Sequence, residues 1–403
     1  MTRKIPFFSA AVLSGLLLLA PASWAKKTEA AAPAALAPYP APVAPEVAAK
    51  AFLLIDISAN GQVLASKNAD DPVEPASLTK LMTGYLVFDA LKNKRLTLEQ
   101  KLTVSARARA MEGSRMFVDT GWQVPVDDLI KGMITQSGND ATAVLAEGVG
   151  GSIENFVQMM NNQAQLLGLH KTHYKNAEGL TVPGHITTAS DLALLSRRLM
   201  QDFPEYLHYY SIKSYRYAGT PASNSNNRNL LLYRDPSVDG LKTGHTAAAG
   251  YCLVATAKRE FAGVGQRRLL SVVLGTASEN ARAAESQKLL NWGYTAFEPV
   301  KLFAANQAVA KPQVWRGAAN EVSLGLPRDI VVAVPVGTAA QISTTVARPD
   351  PIFAPLRQGQ NLGTLNISIS GRPYTQLPLQ TLQAVEPAGW FGQTWDAIRL
   401  WIK

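Results

Sequence analysis

The stretch Pro75-Ala-Ser-Leu-Thr-Lys80 (PASLTK) decides how this sequence reads, because it opens a helical pattern with Ser77 and Lys80 three residues apart. Positions i and i+3 share one face of a helix, so the amine reaches the hydroxyl. A serine is a poor nucleophile until a base takes its proton. A lysine can be that base only if burial or a neighbouring cation lowers its pKa. Pro75 suits a first helical turn, and free N–H groups at a helix start can stabilise an oxyanion. The spacing alone is unspecific, since Ser23 and Lys26 repeat it.

Working outward, AFLLIDIS from Ala51 and QVLASKN, separated by Ala59-Asn60-Gly61, predict a β-hairpin. From Ala76 a helix is expected with Leu78, Leu81, Met82, Tyr85 and Leu86 on one face. DDLIKGMIT, ATAVLAEGV and IENFVQMMNNQAQLLG carry further helical stripes. VDGLKTG, GYCLVATAKRE and RRLLSVVLGT then read as strands, and a helix over 279–291 closes the unit. Strands at both ends and helices between predict an α+β unit over 51–298, with one antiparallel sheet whose first and last strands meet. From Pro299 to about 383, short β-branched runs broken by Gly, Pro and Asn predict a small all-β sandwich domain.

The ends read differently. Arg3, Lys4, the 11-residue apolar run from Ala10 to Ala20, and the small residues Ser23 and Ala25 form a signal peptide over 1–25. That run is too short to span a bilayer. Residues 26–50 are mostly Ala, Pro, Val and Lys and read as an extended linker outside any core. In the final stretch, over 384–403, Trp390, Phe391, Trp395, Ile398, Trp401 and Ile402 fall within about 140° of a helical wheel. Leu400 is the misfit. This predicts an amphipathic helix lying in a membrane surface.

Composition narrows the classes. The 403 residues carry a net charge of +9, but the basic residues come in ones and twos, with no stripe for nucleic acid. Export removes that partner as well. The one cysteine, Cys252, reads as a small buried hydrophobe in a strand. His170, His173 and His185 lack the glutamate and spacing of a zinc site, so no metal or other cofactor is expected.

Two more snippets offer chemistry. In QSGND, Ser137 and Asn139 supply a hydroxyl and an amide between two helical patterns, although Ser-x-Asn recurs at Ser58, Ser225 and Ser278. In VDGLKTGHT, Lys242 and Thr243 offer a cation and a hydroxyl for a carboxylate, and Gly244 lets a ligand approach the strand edge.

In this order, Ser-x-x-Lys, Ser-x-Asn and Lys-Thr-Gly resemble the motifs of β-lactamases and penicillin-binding proteins. From Ala51 to the tail the chain resembles the low-molecular-mass penicillin-binding proteins that are D-alanyl-D-alanine carboxypeptidases. THYKNAEGL at 172–180, NRNLLLYRDPSVDGLKTGHT at 227–246 and ARAAESQKLLNWGY at 281–294 carry the likeness. The resemblance implies a serine β-lactamase/transpeptidase-like catalytic domain followed by the β-sandwich and the anchor helix. It implies periplasmic attachment to the cytoplasmic membrane, peptidoglycan pentapeptide stems as substrate and β-lactams as covalent inhibitors. It assigns Ser77 as nucleophile, Lys80 as base, Ser137 as proton relay and Asn139 to orient the acyl chain. Lys242, Thr243 and Arg282 hold the terminal carboxylate, and the N–H groups of Ser77 and His245 bind the oxyanion. The second motif is Ser-Gly-Asn, as in the carboxypeptidases, and no Glu-x-x-Leu-Asn segment is present. Rapid penicillin hydrolysis is therefore not expected. A D,D-endopeptidase, a β-lactamase and a vestigial wall-binding scaffold are the alternatives.

Overall fold

The computed structural model describes residues 37–389. The strands β1 (Ala51–Asp56), β2 (Gln62–Lys67), β3 (Val238–Thr246), β4 (Gly250–Phe261) and β5 (Gly265–Thr276) form one antiparallel sheet in the order β2-β1-β5-β4-β3. The sheet closes as the distribution of strands requires, with Leu53 of β1 opposite Val272 of β5. β1 is apolar without alternation because both faces are covered. Leu53 and Ile55 point into one core, and Phe52 and Leu54 into a second.

Between β2 and β3 lie α1 (Lys80–Lys92), α2 (Val126–Thr135), α3 (Asn139–Gly150), α4 (Ile153–Leu167) and α5 (Ala189–Asp202). After β5, α6 (Glu279–Ala296) covers the opposite face of the sheet with Leu289, Leu290 and Tyr294. Ser152, Thr188 and Ser278 cap α4, α5 and α6 by accepting from the amides of Asn155, Asp191 and Ala281. α1 differs from its sequence reading. The expected stripe is buried, but so are Thr83, Gly84, Val87 and Phe88, so the helix is enclosed on all sides.

The C-terminal part contains β6 (Phe297–Phe303), β7 (Ile330–Pro335), β8 (Ile342–Ala347), β9 (Asn361–Ile369) and β10 (Arg372–Thr381). β6 pairs with β7, and β8, β9, β10 and the short strand Leu324–Gly325 make a four-stranded sheet. β7 serves two cores by alternation: Val331 and Ala333 join the core under α6, while Ile330, Val332 and Val334 join the β-core. Gln62 of β2 ties the two together, donating to the Ala333 carbonyl at 2.8 Å and accepting from its amide at 3.0 Å.

Two terminal readings need correction. Residues 38–49, read as linker, are packed. Val47 and Ala49 are buried in the core under α6, Tyr39 donates its amide to the Pro373 carbonyl at 2.8 Å, and its ring meets Tyr374 edge-on. Proline-rich backbone lacks N–H groups but still contributes apolar surface, and composition does not show where that surface docks. Residues 384–389, read as the start of the tail helix, are extended. Val385 is buried and exchanges both backbone hydrogen bonds with Leu356. The signal-peptide and amphipathic-helix readings otherwise fall on residues 1–36 and 390–403, outside the described residues. Among the described residues no helix is long and apolar enough to cross a membrane.

Candidate active site

Ser77 lies in the 3-10 turn Ala76–Thr79, which runs directly into α1. Its position is set from two sides. Gly244 on the edge strand β3 faces the turn so closely that a Cβ there would lie 3.1 Å from the Pro75 carbonyl and 3.2 Å from Ala76. Gly179 presses from the loop after α4, where a Cβ would lie 1.8 Å from the Ala76 carbonyl oxygen and 2.9 Å from the Ser77 nitrogen. Ala76 itself is held at φ +48°. Asn176 fixes Gly179 by accepting its amide at 2.7 Å.

The Lys80 amine is buried and has three oxygen neighbours: Ser77 Oγ at 2.9 Å, Asn139 Oδ1 at 2.7 Å and the Glu178 carbonyl at 2.7 Å. Burial lowers its pKa to about 7. Glu178 and Asp140 oppose that shift and Arg228 adds to it. The Asn139 amide is fixed in turn by donating Nδ2 to the Glu112 carbonyl at 2.6 Å.

Ser137 precedes α3 in a left-handed conformation, φ +59°. Its hydroxyl accepts from Lys242 Nζ at 2.8 Å, and Lys242 also donates to the Thr243 carbonyl at 3.0 Å. Lys242 is buried, and its pKa is pushed well below the ordinary lysine value by desolvation and then by Lys80, Arg228 and Arg282. Arg282, from the first turn of α6, is buried and donates to the carbonyls of Gly244 and Arg228 and to Glu279. A cavity of about 160 Å³ is lined by Ser77, Ser137, Thr243, Gly244, His245 and Arg282 together with Ser114, Arg228, Tyr251 and Glu279. Among the described residues two larger grooves, one beside Arg197 and one beside Tyr374, bring no serine to a buried amine.

The three distant snippets therefore reach one cleft. Lys80 and Asn139 sit just beneath it and Lys242 behind Ser137. His185, considered for metal, spends both ring nitrogens on protein. Nδ1 accepts from the Lys175 amide at 3.0 Å and Nε2 lies 2.8 Å from Thr79 Oγ1, while burial holds its pKa down at about 4. Cys252 is buried in β4.

A family model described as D-alanyl-D-alanine carboxypeptidase matches residues 39–278. The chain belongs to the D-alanyl-D-alanine carboxypeptidase family. A second model, for the C-terminal domain of penicillin-binding protein 5, matches residues 297–387. Among relatives of the carboxypeptidase family, the chain is 40% identical to D-alanyl-D-alanine carboxypeptidase DacC of Escherichia coli over 92% of both chains. It is 37% identical to DacA of the same organism over 89% of both. Penicillin-binding protein 5 from Haemophilus influenzae superposes with a TM-score of 0.78 at 35% identity, over 86% of this chain and 99% of that one. Penicillin-binding protein D2 from Listeria monocytogenes, solved in its ampicillin-bound form, gives 0.56 at 34% identity over 63% of this chain and 100% of that one. The fold is thus a penicillin-binding, transpeptidase-like domain with a C-terminal β domain.

Sequence reasoning missed several neighbours of the site. Asp140 gathers the amides of Met116 and Phe117 at 2.7 Å and Val118 at 3.3 Å, anchoring the loop that carries Ser114. Arg228 and Glu279 line the cleft although only their surrounding stretches stood out. Gly179 and Glu178 lay in THYKNAEGL, quoted for its likeness and not for a role.

Proposed function

We propose that this protein is a serine-type D,D-carboxypeptidase that removes the terminal D-alanine from peptidoglycan pentapeptide stems through an acyl-enzyme on Ser77. The surroundings of the Lys80 amine carry this reading. As a free amine it has two hydrogens and one lone pair. Asn139 Oδ1 and the Glu178 carbonyl accept the two hydrogens, which leaves the lone pair for the Ser77 hydroxyl. A pKa of about 7 makes that free amine available at neutral pH.

Ser77 Oγ attacks the carbonyl carbon between the two D-alanines as its proton passes to Lys80. The N–H groups of Ser77 and His245 hold the oxyanion. Thr243, with Arg282 and Arg228 close by, receives the terminal carboxylate, and Arg282 is the charge-assisted anchor. The scissile C–N bond breaks as the leaving nitrogen takes a proton from Ser137, which recovers one from Lys242. Asn139 Nδ2 has a second hydrogen to orient the acyl chain. Water then attacks the ester carbon, its proton returning through Ser137 to Lys242, and the acyl–Oγ bond breaks as Ser77 takes its proton back from Lys80, which frees the carboxylic acid and restores the enzyme. No cofactor enters any step.

A β-lactam would acylate Ser77 in the same way and then stall. Glu279 is the only carboxylate lining the cavity among the described residues, and it sits at the Arg282 end, away from the ester. This disfavours rapid penicillin hydrolysis. An export signal over 1–25 and an amphipathic anchor within 384–403, both read from the sequence alone, would place the enzyme on the periplasmic face of the cytoplasmic membrane. The catalytic unit is assigned to residues 51–298 and the β domain to 299–383.

Incubation with a fluorescent penicillin, mass spectrometry of the adduct, and assay of free D-alanine from a pentapeptide test this reading. One adduct on Ser77, slow release and D-alanine production are expected. Labelling that persists in Ser77→Ala removes the nucleophile assignment, and activity confined to cross-linked dimers makes the enzyme an endopeptidase.

A further inference from the structure

Among the described residues, Glu178 is a buried titratable group beside the site that the mechanism above leaves unused. Its backbone carbonyl takes a hydrogen bond from Lys80, while its side chain is turned inward, 5% exposed, with Oε2 buried and without a hydrogen-bond partner. A buried carboxyl with an unpartnered oxygen is costly, and such groups are retained where they do something. The loop holding it is fixed at each end. Thr83 on α1 donates to the Ala177 carbonyl at 2.7 Å, and Asn176 spans the turn, accepting from Gly179 and donating to the Leu180 carbonyl at 2.9 Å. The loop thereby sets the Glu178 backbone carbonyl against the amine that must change its charge, and the buried carboxyl acts on that amine through space.

We propose that Glu178 is a positioning residue for Lys80, holding a carboxylate beside the amine so that the ammonium formed when Ser77 gives up its proton is stabilised inside the protein. The inference rests on the reading of Lys80 as the base. In the step, the O–H bond of Ser77 breaks and a third N–H bond forms on Lys80; the proposal has the Glu178 carboxylate, whose ionised form Lys80 favours against the effect of burial, take up no proton, so proton and charge balance without another reactant.

The charges facing Lys80 are the anions Glu178, from the loop, and Asp140, from α3, and the cations Arg228 and Lys242. Asp140 is spent on the amides of Met116, Phe117 and Ala141. The Glu178 carboxyl is engaged only by the backbone amides of Ala177 and Glu178, and its Oε2 has no hydrogen-bond partner. The charges acting on Glu178 are Lys80 and, more weakly, Arg107, and its pKa is raised by burial and restrained by Lys80. An anion beside an amine favours the protonated amine, so Glu178 makes Lys80 a stronger base than burial alone would allow.

The test is the pH dependence of Ser77 acylation by a fluorescent penicillin in the full chain. In the native protein the rate should rise with pH through about 7, as Lys80 loses its proton. In Glu178→Gln the rising limb should move down by about one pH unit, and the plateau should fall several-fold because the base is weaker. Glu178→Asp, which keeps the charge, should hold the limb near its native position. A loop that merely packs would lower the rate at every pH without moving the limb, so an unmoved limb in Glu178→Gln overturns the inference. So does a limb in Glu178→Asp displaced as far as in Glu178→Gln, and Glu178→Ala, which also removes the charge and is read as Glu178→Gln is, decides the matter if the glutamine variant does not fold. Failure of the underlying reading looks different: Lys80→Arg would then acylate with the native pH profile.

Discussion

Replacing Gly179 with alanine should disable the enzyme through the backbone of its nucleophile. Gly179 has φ +95°, and an alanine in the left-handed region costs about 1–2 kcal/mol. The new Cβ would also stand 1.8 Å from the Ala76 carbonyl oxygen, where contacts under 3.0 Å are essentially never seen. The neighbour is backbone, not a flexible side-chain end, and it cannot retreat freely, because Gly244 of β3 closes the other side of the turn. Overpacking of this kind adds about 1–3 kcal/mol. The relief available is to move the Ala76–Ser77 peptide by about 1 Å, and displacement of that size costs about 10²-fold in rate. The assay is the second-order rate of fluorescent-penicillin labelling, with the thermal midpoint measured in parallel. Gly151→Ala is the control. It has φ +75° and nothing within 4 Å of the added Cβ, so it should lose stability by the conformational cost alone and label at the native rate. Native labelling by Gly179→Ala, or an equal loss in Gly151→Ala, would refute the reasoning.

Three other perturbations are informative. Arg282→Ala removes the buried cation at the carboxylate end, and since a charged hydrogen bond contributes about 1.5–3 kcal/mol, KM for a pentapeptide should rise by about 10- to 100-fold with a smaller change in kcat. Asp140→Asn leaves at least one of the amides of Met116, Phe117 and Ala141 without its charged acceptor. It should lower stability by about 2 kcal/mol and slow acylation, as read by urea unfolding and penicillin labelling. Deleting residues 390–403 should move the protein from the membrane pellet to the soluble fraction; a truncated chain that still sediments with membrane removes the anchor.

Much of this architecture is legible in the residues, and the reasons for what is not are physical. The hairpin at Asn60-Gly61, the long strands 250–261 and 265–276 and the amphipathic helices follow local rules of periodicity and turn chemistry. The three motifs mark where chemistry could sit, because each pairs a reactive group with a local feature that exposes or orients it. What local rules miss is anything fixed by partners far along the chain. Val47 and Ala49 look like linker until the core under α6 is present, and Val331 and Ala333 read as one face of an ordinary strand until that core claims them.

The site shows the same limit in its sharpest form. Ala76, Phe117 and Ser137 all have positive φ, which none of these residue types favours and no turn signal announces. Each is held by a neighbour remote in sequence. Gly179 and Gly244 clasp the peptide at Ala76, Asp140 accepts the Phe117 amide, and Lys242 donates to the Ser137 hydroxyl. Strain of this sort persists only where surrounding contacts over-determine it. The reactive residues can therefore be named from short snippets, whereas the glycines and carboxylates that hold them in place emerge only once the chain has folded. By the same reasoning, substitutions at Gly179 or Asp140 should damage acylation more than their distance from the reacting atoms suggests.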